Sequence, residues 1–417
     1  MKNIVLPLLV IAQFMLPACD KGREITLTVE PSTLAPVVEG DNQFAFDLYA
    51  KLNANRENLF FSPFSISMAL AMTYGGAAGE TQRQMEEVLH FPYNDNKLHN
   101  SLGALLQELT YPAASESGFQ MRIANRLWGE ERPGYRFQET FLKLTRDFYD
   151  AQLEPVSFSE APGEAAQKIN DWVSKQTEGL IGSIVDPNQF SVDTLLVLTN
   201  AIYFKGVWTN EFGKRATKDE PFYLEDGTQK NVPLMHQRGD FVYGEAENLQ
   251  LLQMPYRGNR LSMLAVLPRA RDGLAAVENT LDAGRLGEWM AGMRQREVDV
   301  FFPRFRMETG FDLTETLKDM GMAVAFEPEA DFLKMIELSG QSAPEQRIWL
   351  SSVLHKAFVE VDEEGTTAAA ATAVSTLAES VSIPEPPPVF RADHPFLFLI
   401  RDDVSGSILF MGRVMKP

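Results

Sequence analysis

The stretch that most constrains the fold of this chain is an uncharged run of small residues near its C-terminus. From Gly365 to Ala378 no residue carries a charge, and four successive alanines lie within the run. Alanines favour a helix, whereas the neighbouring threonines and valine are β-branched and favour a strand. Such residues suit a segment that is extended in one state and enters a packed sheet in another, because they do not overpack it. Composition alone favours the alternative, an exposed alanine-rich helix followed by a linker.

Several sequence blocks, taken together with this run, resemble the serpin family. Residues 361–374 are similar to the hinge of the reactive-centre loop of inhibitory serpins, and the similarity extends from about residue 40 to the end. The resemblance implies an α+β fold: one serpin domain with three β-sheets, about nine helices around them, and an exposed mobile reactive-centre loop at about 363–390. Strand and helix patterns that interleave without a regular βαβ rhythm also favour a single α+β domain. The other blocks lie at 58–67, 199–208, 301–305, 354–357 and 394–398.

Composition and missing motifs argue against several classes of function. The formal net charge of −19 disfavours nucleic-acid binding, because a negative surface repels phosphates. Five histidines are present, no two at helical ligand spacing, so neither a metal nor another cofactor is expected. The sequence contains no nucleophile elbow and no phosphate-binding loop. We therefore do not expect an enzyme.

The N-terminus resembles a bacterial lipoprotein signal. A short basic start precedes an apolar run at 4–16, and Leu16-Pro17-Ala18-Cys19 is similar to a lipobox. Cys19 is the only cysteine, which excludes an internal disulfide. We predict a signal peptide at 1–18, a lipidated N-terminus and tether at 19–39, and the serpin domain at 40–417. An ordinary secretory signal with an incidental cysteine is the alternative.

These N-terminal predictions place the protein in the bacterial cell envelope, outside the cytoplasm. There it would be held to a membrane by its lipid, either in the periplasm or exposed at the surface. We expect a monomer.

The resemblance implies a suicide-substrate inhibitor of serine proteases, and of cysteine proteases as a second class. The protease would cleave the loop, which then inserts as a central strand formed by residues 366–378 while the enzyme stays bound as an acyl-enzyme. Family spacing puts the reactive bond at Glu379-Ser380, with Leu377-Ala378 as the rival. The hinge residues implied by the resemblance are Glu363, Glu364, Gly365, Thr366, Thr367, Ala368, Ala369, Ala370 and Ala371.

After insertion, alternate residues from Thr366 to Thr376 would face the core. All of them are small or β-branched, and a charge there would cost several kcal/mol. Non-inhibitory serpins that act as binding or structural proteins often carry such a charge. That alternative is therefore disfavoured.

Six gate residues complete the predicted site. Four match positions where the family's central strands part: Ser62, Ser65, Asn200 and His355. Trp208 matches the top of the sheet, where insertion begins, and Arg304 is a candidate partner for Glu363 there. A satisfied core histidine is the simpler interpretation of His355, and it is compatible with a role in the gate.

Overall fold

The structure is a computed structural model that describes residues 29–94, 96–110, 118–131, 135–338, 347–366 and 386–417. Cys19, the hinge residues after Thr366 and both candidate reactive bonds lie outside this range. Among the described residues there are nine α-helices and three sheets, which confirms the α+β prediction. The helices are α1 (Pro31–Leu52), α2 (Pro63–Tyr74), α3 (Gly79–Val88), α4 (Asn96–Thr110), α5 (Glu139–Tyr149), α6 (Pro162–Gln176), α7 (Leu274–Glu278), α8 (Ala283–Ala291) and α9 (Thr314–Leu317).

The described strands are, in chain order, β1 (Leu59–Phe61), β2 (Phe119–Glu130), β3 (Tyr135–Phe137), β4 (Leu153–Val156), β5 (Leu196–Val207), β6 (Lys218–Tyr223), β7 (Gln229–Ala246), β8 (Leu249–Pro255), β9 (Leu261–Pro268), β10 (Arg294–Pro303), β11 (Phe305–Asp312), β12 (Ile336–Leu338), β13 (Leu350–Val361), β14 (Gly365–Thr366), β15 (Val389–Arg391), β16 (Phe396–Asp402) and β17 (Ile408–Val414). A nine-stranded sheet has the order β1-β17-β16-β9-β8-β7-β10-β15, with β6 on β7. A six-stranded sheet has the order β11-β13-β14-β5-β2-β4, and β12 pairs with β3.

The six-stranded sheet places the loop hinge. Strand β5 is almost continuously buried, as expected for a mid-sheet strand made of apolar and β-branched residues. Strands β13 and β5 run parallel and pair from Leu350 and Leu196 up to Phe358 and Tyr203. Beneath them lies α2, in which all twelve residues are buried, since its sequence is apolar or small on every face.

Two elements differ from what the local sequence predicts. Asp41-Asn42-Gln43 offers an N-cap ahead of Phe44, Leu48 and Leu52, which predicts a helix from there, but α1 begins at Pro31, so residues 31–39 of the predicted tether are helical. Pro31 suits the start of a helix, where its missing N–H costs nothing, and Val37 and Val38 are buried in the core.

The apolar residues at 298–305 predict a single strand. In the structure this stretch is divided at Arg304: β10 belongs to the nine-stranded sheet and β11 to the six-stranded one.

The segment at 333–338 is longer and more apolar than the family resemblance leads us to expect. Met335 and Ile336 are fully or almost fully buried, and β12 pairs with β3. Met335 and Ile336 therefore belong to the core, whereas Leu333 is exposed. No described helix is both long enough and apolar enough to cross a membrane.

Candidate functional site

The first residues of the hinge lie in the six-stranded sheet between two parallel strands, at the C-terminal ends of those strands. Above the Phe358–Tyr203 pair, β13 and β5 no longer pair with each other, and this gap is called the cleft here. Within the cleft, Thr366 pairs with Val361 on one side and with Gly206 on the other, antiparallel to both strands. The chain after β13 therefore turns back and runs down between the two strands.

Thr366 points into the core. It is fully buried, and its hydroxyl lies 2.9 Å from the hydroxyl of the buried Tyr256. The orientation is the one predicted for an inward position. Tyr256 was not singled out in the sequence, because no local pattern distinguishes it from other buried aromatic residues.

Gly365 is required at the turn into the cleft. Its φ is +153°, and a Cβ placed there would lie 2.0 Å from the carbonyl oxygen of Gly206. Only glycine allows this close approach to the backbone of β5.

Glu363 is held at the mouth of the cleft by two hydrogen-bond donors. Its side chain is 2% exposed and accepts hydrogen bonds from Arg304 and Thr217. Burial alone would raise the pKa of Glu363, but these donors bring it below its ordinary value. The predicted contact between Arg304 and Glu363 is present. Thr217 is an additional partner that sequence reasoning missed.

The rest of the turn is fixed by backbone and charged contacts. The Trp208 indole donates to the carbonyl of Asp362 at 3.0 Å, and the Trp208 ring stacks on Tyr256 with centroids 4.5 Å apart. The Asp362 carboxylate accepts the N–H groups of Glu364 and Gly365. Lys214, which lies on no recognised motif, forms an ion pair with Glu364.

Lower in the sheet, three polar side chains form a row across β2, β5 and β13. This amide row consists of Asn125, Asn200 and His355, which occupy matching register positions. The His355 imidazole bonds Asn200, and the Asn200 amide donates to Asn125 and, at 3.0 Å, to the carbonyl of Ser65. Asn125 was missed because it is one polar residue in an otherwise ordinary strand pattern.

The two predicted gate serines connect this row to α2. Ser62 is the N-cap of the helix, since its hydroxyl accepts the N–H of Ser65 at 3.1 Å. The same hydroxyl donates to Leu409 at 2.6 Å. The N–H of Ser62 donates to Nε2 of His355 at 3.2 Å. That contact requires the neutral tautomer with its proton on Nδ1, and burial accordingly lowers the pKa of His355 to about 3.

The site thus contains all six gate residues and the first four hinge residues. They form two groups along the boundary between β13 and β5, which is called the seam below. The mouth of the cleft is charged, and the amide row is neutral. Within the described part of the chain no group of residues is arranged to hold a metal ion. The arrangement holds the start of the hinge, Gly365 and Thr366, between the ends of β13 and β5, above the point where these two strands pair with each other.

Comparisons with known proteins agree on one family. The family model described as "Serpin (serine protease inhibitor)" matches residues 39–417. A serpin-like protein of Thermococcus kodakarensis is 43% identical over 92% of this chain and 86% of the relative. The leukocyte elastase inhibitor of Sus scrofa is 40% identical over 90% of this chain and 98% of the relative. The crystal structure of human thyroxine-binding globulin with thyroxine is similar at a TM-score of 0.80 and 31% identity, over 92% of this chain and 99% of that one.

Proposed function

The chain belongs to the serpin family, and from that premise we propose that it is an irreversible suicide-substrate inhibitor of serine proteases. Cysteine proteases are a second class of target, because they too form acyl-enzymes. The observation that carries the proposal is the position of Thr366, paired on both sides in the cleft between two parallel strands. The loop has already begun the path that it would complete after cleavage. The protein acts as a substrate that traps an enzyme and catalyses nothing itself.

The free energy for trapping comes from backbone hydrogen bonds, because the single ladder between β13 and β5 is replaced by two ladders, one on each side of the inserted strand. Insertion of residues 367–378 would separate β13 from β5 and pair the new strand antiparallel with each of them. About a dozen residues gain ladder bonds at roughly 1 kcal/mol each, which gives a drive on the order of 10 kcal/mol. At roughly 3.3 Å per residue the acylated end moves about 40 Å. The protease is dragged with it, and distortion of its oxyanion hole prevents deacylation.

One residue of the loop would lie level with the amide row after insertion. Continuing the two registers of Thr366 by six residues places Thr372 opposite His355 on β13 and Asn200 on β5. A threonine hydroxyl both donates and accepts, so it is suited to take up the partners that His355 and Asn200 lose when they separate. This is the role we propose for these gate residues.

The reactive bond is proposed at Glu379-Ser380, with Leu377-Ala378 as the rival. A bond after glutamate suits a glutamate-specific protease with a basic pocket. A bond after leucine suits chymotrypsin-like or elastase-like enzymes. Mass spectrometry of the C-terminal fragment released on inhibition distinguishes the two bonds by its first residue.

A non-inhibitory binding protein is the second candidate, because most serpins inhibit proteases and some do not. The uncharged inward positions of the hinge favour inhibition. The experiment incubates the protein with glutamate-specific, elastase-like and chymotrypsin-like proteases and looks for a complex that survives SDS. We expect one with at least one of these enzymes. Cleavage without a complex, by every enzyme tested, would favour the binding protein.

We further propose that the protein is lipidated at Cys19 and held in the bacterial envelope as a monomer. The support is the lipobox-like sequence before Cys19. Labelling with radioactive palmitate should mark the wild type and not Cys19→Ala. Label retained in the variant would show that the cysteine is incidental.

A further inference from the structure

Arg401 carries a positive charge that is partly buried and has no strong hydrogen-bond acceptor. It lies on β16, an interior strand of the nine-stranded sheet. Its only hydrogen bond within the described residues runs from Nη1 to the sulfur of Met290 on α8, 3.0 Å away. A thioether is a weak acceptor, and burial lowers the pKa of Arg401. A withdrawn donor without a good acceptor is costly.

The two aspartates that follow Arg401 do not supply the missing acceptor. The carboxylate of Asp402 is fully buried and accepts hydrogen bonds from Arg260 at 3.0 and 3.2 Å. The carboxylate of Asp403 accepts from Gln253 at 3.1 Å. Both attract Arg401 through their charge, but neither forms a hydrogen bond with it within the described contacts. The guanidinium therefore keeps donors for an oxygen atom placed on its thioether partner.

Met290 is one of two methionines that solvent reaches in the described part of the chain. Met290 and Met320 are partly exposed, whereas the other described methionines are at most 7% exposed. A peroxide must reach a sulfur atom in order to oxidise it, so access selects these two side chains. They differ in their surroundings, because no described donor bonds the sulfur of Met320. The pair therefore offers a site and a matched control.

We propose that Met290 is a modification site, at which hydrogen peroxide forms a methionine sulfoxide that accepts hydrogen bonds from Arg401. A lone pair of the sulfur attacks one peroxide oxygen, and the S–O bond forms as the O–O bond breaks. The proton of the attacked oxygen passes to the departing hydroxide, so water is the second product. The sulfur is oxidised by two electrons and the peroxide is reduced by two. Rotation about the Cγ–Sδ bond turns the new oxygen toward the guanidinium.

The expected consequence is opposite to the usual one. Sulfoxide formation commonly weakens a fold, because it places a polar group among apolar side chains. At Met290 the donor is already in position, so the sulfoxide joins α8 more firmly to β16. Residues 363–391 contain no methionine, so peroxide leaves the proposed loop unmodified. The modification does not depend on the proposed inhibition, whereas an inhibitor that stays active in peroxide rests on it.

The test compares two variants that each keep one accessible methionine. Met320→Leu keeps Met290, and Met290→Leu keeps Met320. Each is treated with dilute hydrogen peroxide until peptide mapping by mass spectrometry finds one added oxygen, and its melting temperature is measured at a fixed scan rate. We expect oxidation to raise the melting temperature of Met320→Leu by about 2–4 °C and not that of Met290→Leu. An unchanged or lower value for oxidised Met320→Leu, or oxidation of buried methionines before Met290, would overturn the proposal.

Removal of the donor tests the cause of the stabilisation. When Arg401→Leu is combined with Met320→Leu, oxidation of Met290 should no longer raise the melting temperature. A rise of the same size without the guanidinium would contradict the hydrogen bond.

Met290→Gln tests the same contact without an oxidant and serves if the Arg401 variant does not fold. Its amide oxygen is a strong acceptor close to the position of the sulfoxide oxygen. The unoxidised Met290→Gln protein should melt at a higher temperature than Met290→Leu. An equal or lower melting temperature would count against the proposal, and no protease enters any of these measurements.

Discussion

The mouth of the cleft and the amide row lie on the same two strands but are held closed by different chemistry. At the mouth, the buried Glu363 and Glu364 meet Arg304 and Lys214, whose side chains are 43% and 66% exposed. In the row, Asn125, Asn200 and His355 are neutral and no more than 6% exposed. Arg304 and Lys214 keep access to water, which reduces the cost of separating them from these carboxylates. Buried neutral groups must exchange one partner for another, because an unpaired group there is expensive.

This difference indicates that β13 and β5 separate more easily at the mouth of the cleft, the weak end of the seam, than at the amide row. The loop already occupies the weak end, where Thr366 is paired. The proposed insertion would have to break the bond between His355 and Asn200. The experiments below test that contrast in order of decreasing effect.

Thr366→Arg should have the largest effect. An arginine at this fully buried position would place an unpaired charge in the cleft, at a cost of several kcal/mol. We expect cleavage by the target protease without an SDS-stable complex. Thr366→Val is the control: it loses only the contact with Tyr256, at about 1–2 kcal/mol, and should still form the complex. Undiminished inhibition by Thr366→Arg would contradict the insertion mechanism.

His355→Ala should be next. It leaves the N–H of Ser62 and the side-chain Oδ1 of Asn200 without their histidine partner, so we expect a loss of about 2–5 kcal/mol in the free energy of unfolding. The seam should open spontaneously, which is measured as polymer or inactive monomer after mild heating. An unchanged monomer yield would show that the row does not restrain the sheet.

The pH dependence tests the neutrality of the row. Burial lowers the pKa of His355 from 6.5 to about 3, so between these values the unfolded chain binds a proton that the folded protein does not. Its contribution to stability is complete above pH 6.5 and is lost as the pH falls toward 3, at up to roughly 1.4 kcal/mol per pH unit. Urea unfolding at pH 7, 6 and 5 should show this slope in the wild type. The difference in this slope between the wild type and His355→Gln isolates the contribution of the histidine. Equal slopes in the two proteins would contradict a neutral, buried imidazole.

Thr372→Val should have a smaller effect that is specific to insertion. The substitution preserves shape but removes the hydroxyl that we place between His355 and Asn200, at about 1–2 kcal/mol. The unreacted protein should be as stable as the wild type, whereas the cleaved form should melt at a lower temperature. Ala370→Ser, at a neighbouring inward position, serves as a control that adds a hydroxyl away from the row. A cleaved form with an unchanged melting temperature would contradict the register.

The mouth of the cleft should give the smallest effects. Arg304→Met removes one of two donors to the buried Glu363 and should cost about 1–2 kcal/mol. Lys214→Met removes a more exposed partner and should cost less than Arg304→Met. Hydrogen exchange of the Phe212 amide, which donates to the carbonyl of Glu363, reports on this region. A larger loss of stability in the mouth variants than in His355→Ala would reverse the proposed order.

Much of the fold follows from local sequence, and the site follows only in part. The β16–β17 hairpin and the fully buried α2 are visible in their own hydrophobic patterns. The break at Arg304 is not, because both sides of it favour a strand and differ only in the sheet to which they pair. Likewise Asn125, Thr217 and Tyr256 act through partners more than seventy residues away. Such contacts leave no periodic signal in a single sequence.

The direction in which the chain leaves β13 also limits which enzymes could be held by the proposed mechanism. The piece on the N-terminal side of the cut stays joined to the cleft through Thr366, and the piece on the other side is fixed to the outside of the nine-stranded sheet by β15. A serine or cysteine protease would be joined, through its own nucleophilic side chain, to the new carbonyl end of the N-terminal piece. That end is the one that would move during insertion. Proteases that deliver a metal-bound water form no such ester and would depart after a single cut. Under the proposed mechanism the fold would therefore select its targets by reaction chemistry as well as by the residue at the cut.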